Sequence, residues 1–188
     1  EIYESLLMLQ HRGQDAAGMV VCEPSGKLNS RKSKGYVRDV FQQTHMNNLQ
    51  GNIGIGHVRY PTTGGVGKEF AQPMYVNTPY GISLAHNGNL TNSKKLAAEL
   101  FHAERRHINT ESDSEVLLNI FALELSKQEA VFPKPKDFFS AVEKTHLRIN
   151  GAYAVVALIT GYGILAFRDP LGIRPLTIGV RKGDNRNE

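Results

Sequence analysis

The sequence predicts an α+β fold built from antiparallel hairpins, and three observations lead there. Two pairs of strand-like runs are each joined by a tight turn, one across Thr78-Pro79-Tyr80-Gly81 and the other across Gly161-Tyr162-Gly163. Between them lie helical stripes in succession, Leu96, Leu100 and Phe101, then Val116, Leu117, Ile120, Phe121 and Leu125. The alternation of single strands with single helices that marks a parallel sheet does not occur.

The elements follow in order. An amphipathic helix over residues 2–9 leads through His11-Arg12-Gly13-Gln14-Asp15 to a strand over 17–22, ended by Pro24-Ser25-Gly26. A short helix is expected next, with Val40, Phe41 and Leu49 on its buried face and Gly51 as its stop. Residues 53–60 read as a strand whose glycines admit another backbone closely. The first hairpin spans 74–85 and runs into His86-Asn87-Gly88-Asn89, read as a polar loop that ends a buried strand. Ser112 or Ser114 is available to cap the stronger helix, and a third helix is expected over 137–149. The second hairpin pairs 152–159 with 164–167; residues 176–180 are strand-like and 181–188 a polar loop.

With 188 residues, 40% of them hydrophobic and 21% charged, the chain is of ordinary globular composition. Such a domain removes roughly 70% of its unfolded surface from water and needs no disulfide or structural metal. The net charge of +4 comes from signs mixed along the chain, so no nucleic-acid partner is indicated, and Arg105-Arg106-His107 reads as a solvated face. The single cysteine, Cys22, excludes an internal disulfide and points to a reducing, cytoplasmic setting. No Cys/His quartet or HExxH is present, so no metal site is expected, and His57 and His86 read as hydrogen-bonded structural histidines. The longest apolar stretch, 152–167, is interrupted by its glycine turn and falls short of the roughly 18 to 20 residues of a membrane span. The chain starts at Glu1, without a methionine and already inside a helix, and is therefore expected to be truncated at both ends.

Several motif matches fail on context. Thr63-Gly64-Gly65-Val66-Gly67-Lys68-Glu69 has Glu69 where a phosphate loop needs Ser or Thr. Gly161-Tyr162-Gly163-Ile164-Leu165-Ala166 joins two strands instead of opening a helix, as dinucleotide binding requires. Asn89-Leu90-Thr91 is a glycosylation triplet in a chain with no secretory signal.

Four polar clusters remain: His11-Arg12-Gly13-Gln14, residues 56–62, His86-Asn87-Gly88-Asn89, and residues 109–115. Charged and amide groups gathered at strand ends favour a functional site. Taken one at a time, Arg12 and Arg59 are also ordinary ion-pair partners, Asn87-Gly88 a turn, and Asp113 a charge suited to a helix N-terminus.

In this order the clusters resemble the glutaminase domain of the class II glutamine amidotransferases, and most closely that of the glutamine phosphoribosylpyrophosphate amidotransferase family. The resemblance covers residues 1–188, and Leu9-Gln10-His11-Arg12-Gly13-Gln14-Asp15-Ala16-Ala17-Gly18 discriminates best against relatives that make glucosamine phosphate or asparagine. Residues 56–60, 85–90, 112–115 and 167–176 also fit, while the wording of 59–62 and 107–110 resembles fungal members. The resemblance implies a four-layer αββα sandwich of two antiparallel sheets, the N-terminal-nucleophile hydrolase fold. It implies that an N-terminal cysteine attacks the glutamine side-chain amide, with its own amine as base. Asn87 and Gly88 would form the oxyanion hole, Arg59 would grip the substrate carboxylate, and Asp113 would accept its ammonium. Tyr60 and Thr62 would shape the pocket, and Arg12 would orient it from the edge.

The family's cysteine precedes the first helix, upstream of Glu1, and Cys22, inside a strand, is no substitute; residues 1–188 alone are expected not to hydrolyse glutamine. No cofactor is expected in this domain. A phosphoribosyltransferase domain absent from residues 1–188 would bind Mg2+ and phosphoribosyl pyrophosphate and receive ammonia, in a homo-oligomeric parent enzyme of purine synthesis. Two alternatives are the glutaminase of another class II amidotransferase and a non-catalytic regulatory relative without the cysteine.

Overall fold

A sheet strand covered on one face alternates between buried and exposed residues, but every residue of β1 (Ala16–Cys22) is buried. Its Ala17, Met19 and Val21 pack with Leu6 of α1 (Ile2–Leu9), with Val37 and Val40 of α2 (Val37–Val40), and with Phe41. Val20 and Cys22 turn to the opposite face and meet Ile55 of β3 (Ile53–Arg59) and Leu158 of β6 (Gly151–Ile159). β1 therefore lies in an inner layer, with helices on one side and a second sheet on the other.

The computed structural model describes residues 1–60 and 67–180. The first sheet has the order β2-β1-β3, with β2 (Leu28–Lys34) and β3 both antiparallel to β1. The second has the order β4-β5-β6-β7, from β4 (Met74–Val76), β5 (Ile82–Leu90), β6 and β7 (Gly163–Arg168), antiparallel throughout. Its far face carries Ile82, Leu84, Tyr153 and Val155 against α5 (Asp113–Ser126), which α4 (Ser93–His102) and α6 (Pro135–Arg148) flank through Leu100 and Ala141. The layers run helix, sheet, sheet, helix, so the four-layer αββα sandwich implied by the resemblance is the one observed.

Both expected hairpins are present, and the expected helices form α1, α4, α5 and α6 with boundaries shifted by a few residues. Four readings need correction. Residues 28–34, for which no strand was expected, form an edge strand ahead of the helix; their polar, charged pattern suits a half-exposed edge, and the ladder to β1 outweighs weak strand propensity. The helix comes later, split into α2 and α3 (Gln43–Asn48), with Val40 and Phe41 buried as expected. At Gly54 the close backbone approach is present, the Val20 carbonyl oxygen 2.6 Å from where a Cβ would stand, but at Gly56 the approach is by the Ile2 and Leu6 side chains of α1, at 2.9 and 3.0 Å. Residues 176–180 join neither sheet, with Ile178 and Val180 more than four-fifths exposed.

The fourth correction bears on function. His86-Asn87-Gly88-Asn89 is the continuation of β5, paired with β6 from Ile82↔Ile159 to Leu90↔Gly151 without a bulge. Gly88 makes this possible, because at φ +155° a Cβ would stand 2.0 Å from the Ala152 carbonyl oxygen. The polar residues thus sit on a rigid strand.

Candidate active site

Past Met74, β4 ends, and β5 runs on with its outer edge uncovered. Alternation along a strand puts the backbone groups of residues 84, 86, 88 and 90 on that outer edge, since the odd-numbered residues face β6: the Thr160 N–H donates to the Gly81 carbonyl oxygen and the Thr91 N–H to that of Asn150. Side chains take two of the exposed N–H groups. The His86 N–H donates to Gln72 Oε1 at 2.7 Å and the Leu90 N–H to Asp113 Oδ2 at 2.9 Å. Between them the Gly88 N–H points away from β6, as its partner Tyr153 confirms: the Tyr153 backbone is engaged on the β7 side, accepting from the Asp169 N–H at 2.8 Å.

This edge forms one wall of a cleft of about 1390 Å³. The end of β3 supplies His57, Arg59 and Tyr60, the 3-10 turn Gln10–Arg12 supplies Arg12, and the N-terminus of α5 supplies Asp113. Six of the seven sequence-derived site residues, Arg12, Arg59, Tyr60, Asn87, Gly88 and Asp113, line this single cleft. Thr62 lies outside the described residues, as does most of the rejected phosphate-loop match. Asn87, Tyr60 and Arg12 are exposed, whereas Arg59 is buried.

Arg59 lies in an ion pair with Asp15, both side chains about nine-tenths buried, and its guanidinium sits 5.3 Å from the centre of the Phe70 ring. A guanidinium has five N–H donors, so the contact from Nη1 to Asp15 uses one part of the fork and fixes the plane of the rest. Asp113 begins α5, where Ser112 caps the helix by accepting the Ser114 N–H at 3.3 Å.

Two histidines lie beneath the cleft. His86 Nδ1 is 3.0 Å from Ser114 Oγ and 3.8 Å from Asp113 Oδ1. Burial drives its pKa below the ordinary value; Asp113 opposes and Arg174 reinforces the shift. Burial, with help from His86 and Arg59, pushes His57 down to about 4. Both rings are neutral at pH 7, so the carboxylate of Asp113 is not cancelled by an imidazolium beside it. His86 is hydrogen-bonded through Nδ1 and His57 to the His86 backbone, as expected, while His57 Nδ1 and His86 Nε2 have no hydrogen-bond partner among the described residues.

The sequence reading gave no site role to Asp15, Gln72, Ser114, Asp169 or Arg174. Asp169 is buried, and its carboxylate accepts N–H bonds from Tyr153, Ile173 and Arg174 at 3.3, 2.9 and 3.0 Å. Burial raises its pKa, but those backbone donors prevail and hold it below the ordinary value. The resulting turn brings Arg174 to the cleft wall. The Asp169-Pro170 pair and the glycine at 172 were visible turn signals for it. Cys22, the one cysteine, is buried in β1 and does not line the cleft. Among the described residues no group of three or more His, Cys, Asp or Glu is placed to hold a metal, and no helix is long and apolar enough to cross a membrane.

The family model described as "Glutamine amidotransferase domain" matches residues 66–186, and the chain belongs to that family. Within it, the chain is similar to amidophosphoribosyltransferases. It is 58% identical to that of Pseudomonas aeruginosa over 98% of the chain and 36% of the relative, and 56% identical to that of Pasteurella multocida over 100% and 37%. The Schizosaccharomyces pombe relative is 53% identical over 96% of the chain and 34% of its own length. The solved glutamine phosphoribosylpyrophosphate amidotransferase of B. subtilis, complexed with ADP and GMP, superposes with a TM-score of 0.78 at 32% identity, over 95% of this chain and 36% of that one. The chain thus spans little more than a third of the length of these relatives.

Proposed function

We propose that residues 1–188 are the glutamine-binding and oxyanion-stabilising part of an amidophosphoribosyltransferase. The observation that carries this reading is the outer edge of β5, where the Gly88 N–H faces the cleft between two N–H groups already taken, with the Asn87 amide beside it. Attack of a thiol on the glutamine side-chain amide places negative charge on the amide oxygen. The Gly88 N–H and the Asn87 side-chain NH2 stabilise that charge; collapse then expels ammonia to leave a thioester, which water cleaves to glutamate. Arg59 holds the substrate carboxylate and Asp113 its ammonium, and these opposite charges select free glutamine. Tyr60, Thr62 and Arg12 shape the rim.

The thiol comes from outside residues 1–188, because Cys22 is buried away from the cleft and lacks a free α-amine. In the whole protein the ammonia goes to phosphoribosyl pyrophosphate, giving 5-phosphoribosylamine, at a Mg2+-dependent site to which no residue described here contributes. This is the first step of purine synthesis, carried out by a cytoplasmic homo-oligomer. The names of the relatives support that acceptor over the hexosamine or asparagine alternatives. The test is glutamate and phosphoribosylamine production by the full-length native protein. Asn87→Ala is expected to lower kcat for glutamine hydrolysis by about 10²- to 10³-fold, the usual loss for one oxyanion donor. An unchanged kcat removes Asn87 from the mechanism.

A further inference from the structure

Gln72 is 7% exposed, lies in the connection before β4 and lines the cleft, where the chemistry above gives it no role. Its carboxamide is engaged twice with one residue of the neighbouring strand: Oε1 accepts the His86 N–H at 2.7 Å, and Nε2 donates to the His86 carbonyl oxygen at 3.3 Å. That donor and acceptor pair is what a residue of a neighbouring antiparallel strand supplies in a hydrogen-bonded pair. β4 pairs with β5 only from Val76↔Ile82 to Met74↔Leu84, and the next rung falls at His86. A backbone rung there would place a further strand along the edge at Gly88 and close off its N–H. A side-chain rung ends the ladder one residue before Asn87.

We propose that Gln72 is a positioning residue for glutamine hydrolysis: its carboxamide acts as the last rung on the outer edge of β5, holding Asn87 and Gly88 in place while leaving the Gly88 N–H open to the cleft. The proposal rests on the reading of Asn87 and Gly88 given above. At the far side of Gly88, Asp113 fixes the Leu90 N–H, so the oxyanion-facing residue is clamped on both sides by carbonyl-type oxygens of side chains. Oxyanion donors act through preorganisation, so a strand end that shifts loses transition-state stabilisation more than ground-state binding.

The experiment compares kcat and KM for glutamine hydrolysis by the full-length native protein with those of Gln72→Met and Gln72→Glu, from pH 5.5 to 8.5. Gln72→Met keeps the length but neither hydrogen bond; its kcat is expected to fall about tenfold or more with KM changed less than about threefold. In Gln72→Glu, the protonated carboxyl has the shape of the carboxamide, with an O–H in place of the amide donor. Its kcat, taken as a ratio to the parent, is expected to recover as the pH falls, a signature that a merely structural defect does not give. Wild-type kcat in Gln72→Met overturns the proposal, as does, in a folded variant, a rise in KM as large as the fall in kcat. If Gln72→Met fails to fold, the Gln72→Glu profile decides, and a ratio independent of pH overturns the assignment. A parent protein that does not hydrolyse glutamine refutes the functional reading itself and this role with it; an active parent with a normal variant refutes only the role of Gln72.

Discussion

At Gly88 the carbonyl of Ala152 leaves no space for a side chain, and the N–H faces the cleft. Gly88→Ala is therefore expected to destabilise the end of β5 by about 1–3 kcal/mol, the usual cost of overpacking, and to abolish glutamine hydrolysis; hydrogen exchange of the β5 and β6 amides measures the first effect. Asp113→Asn keeps an acceptor for the Leu90 N–H but removes the charge proposed to meet the substrate ammonium. KM for glutamine should rise about 10- to 100-fold, the worth of a charged hydrogen bond, with the fold retained. The buried histidines give a pH dependence. For His57 the folded-state pKa of about 4 lies below the ordinary 6.5, so between these values the unfolded chain binds more protons. The stability from the neutral ring is fully present above pH 6.5 and is lost as the pH falls through 4, a change of about 3 kcal/mol at 1.36 kcal/mol per unit. Exchange rates of β3 amides measured from pH 7 to 4 should accelerate accordingly, and less so in His57→Asn. The clusters that hold Asn87, Arg59 and Asp113 were legible because amide and charged groups at the ends of apolar runs are unusual, while the choice of these three residues came from the family resemblance. Asp15 and Gln72 were not, because their partners lie 44 and 14 residues away and no periodicity links them.

Among elements, α5 was the most legible. Residues 116–125 are all buried, so its apolar content is high on every side, and a packed N-terminus was marked by serines. The capping bond from Ser114 to Ser112 makes a specific claim: Ser112→Ala should cost about 1 kcal/mol and loosen Asp113, read as faster exchange in the first turn of α5 together with a raised KM. Buried polar groups within this helix are satisfied, Asn119 by the Glu115 carbonyl and Glu124 by Arg148 of α6 at 2.6 Å. β5 and β2 were harder to read. Asn, Gly and Asn belong by propensity in a turn, and Leu-Asn-Ser-Arg-Lys-Ser-Lys has no strand-like apolar face; in both cases the neighbouring strand, β6 or β1, imposes the conformation through its ladder. Local sequence carries no record of that partner.

At the scale of the molecule, hairpins and paired helices were enough to predict an α+β layered fold, while the number of layers came from the family resemblance. The stacking follows from β1, buried on both faces, and from Leu158 of β6 meeting Val20 and Ile55 across the gap between sheets. Packing of two sheets brings the ends of β3 and β5 to one cleft, so residues from four separated segments meet there. The central claim is that this cleft holds glutamine for a thiol supplied from outside residues 1–188. The most direct test is intact mass spectrometry of the full-length native protein before and after incubation with diazo-oxo-norleucine, followed by sequencing of the modified peptide. A single adduct on a cysteine outside residues 1–188, blocked by excess glutamine and with Cys22 unmodified, is the predicted result. An adduct on Cys22, or no adduct at all, would contradict the account.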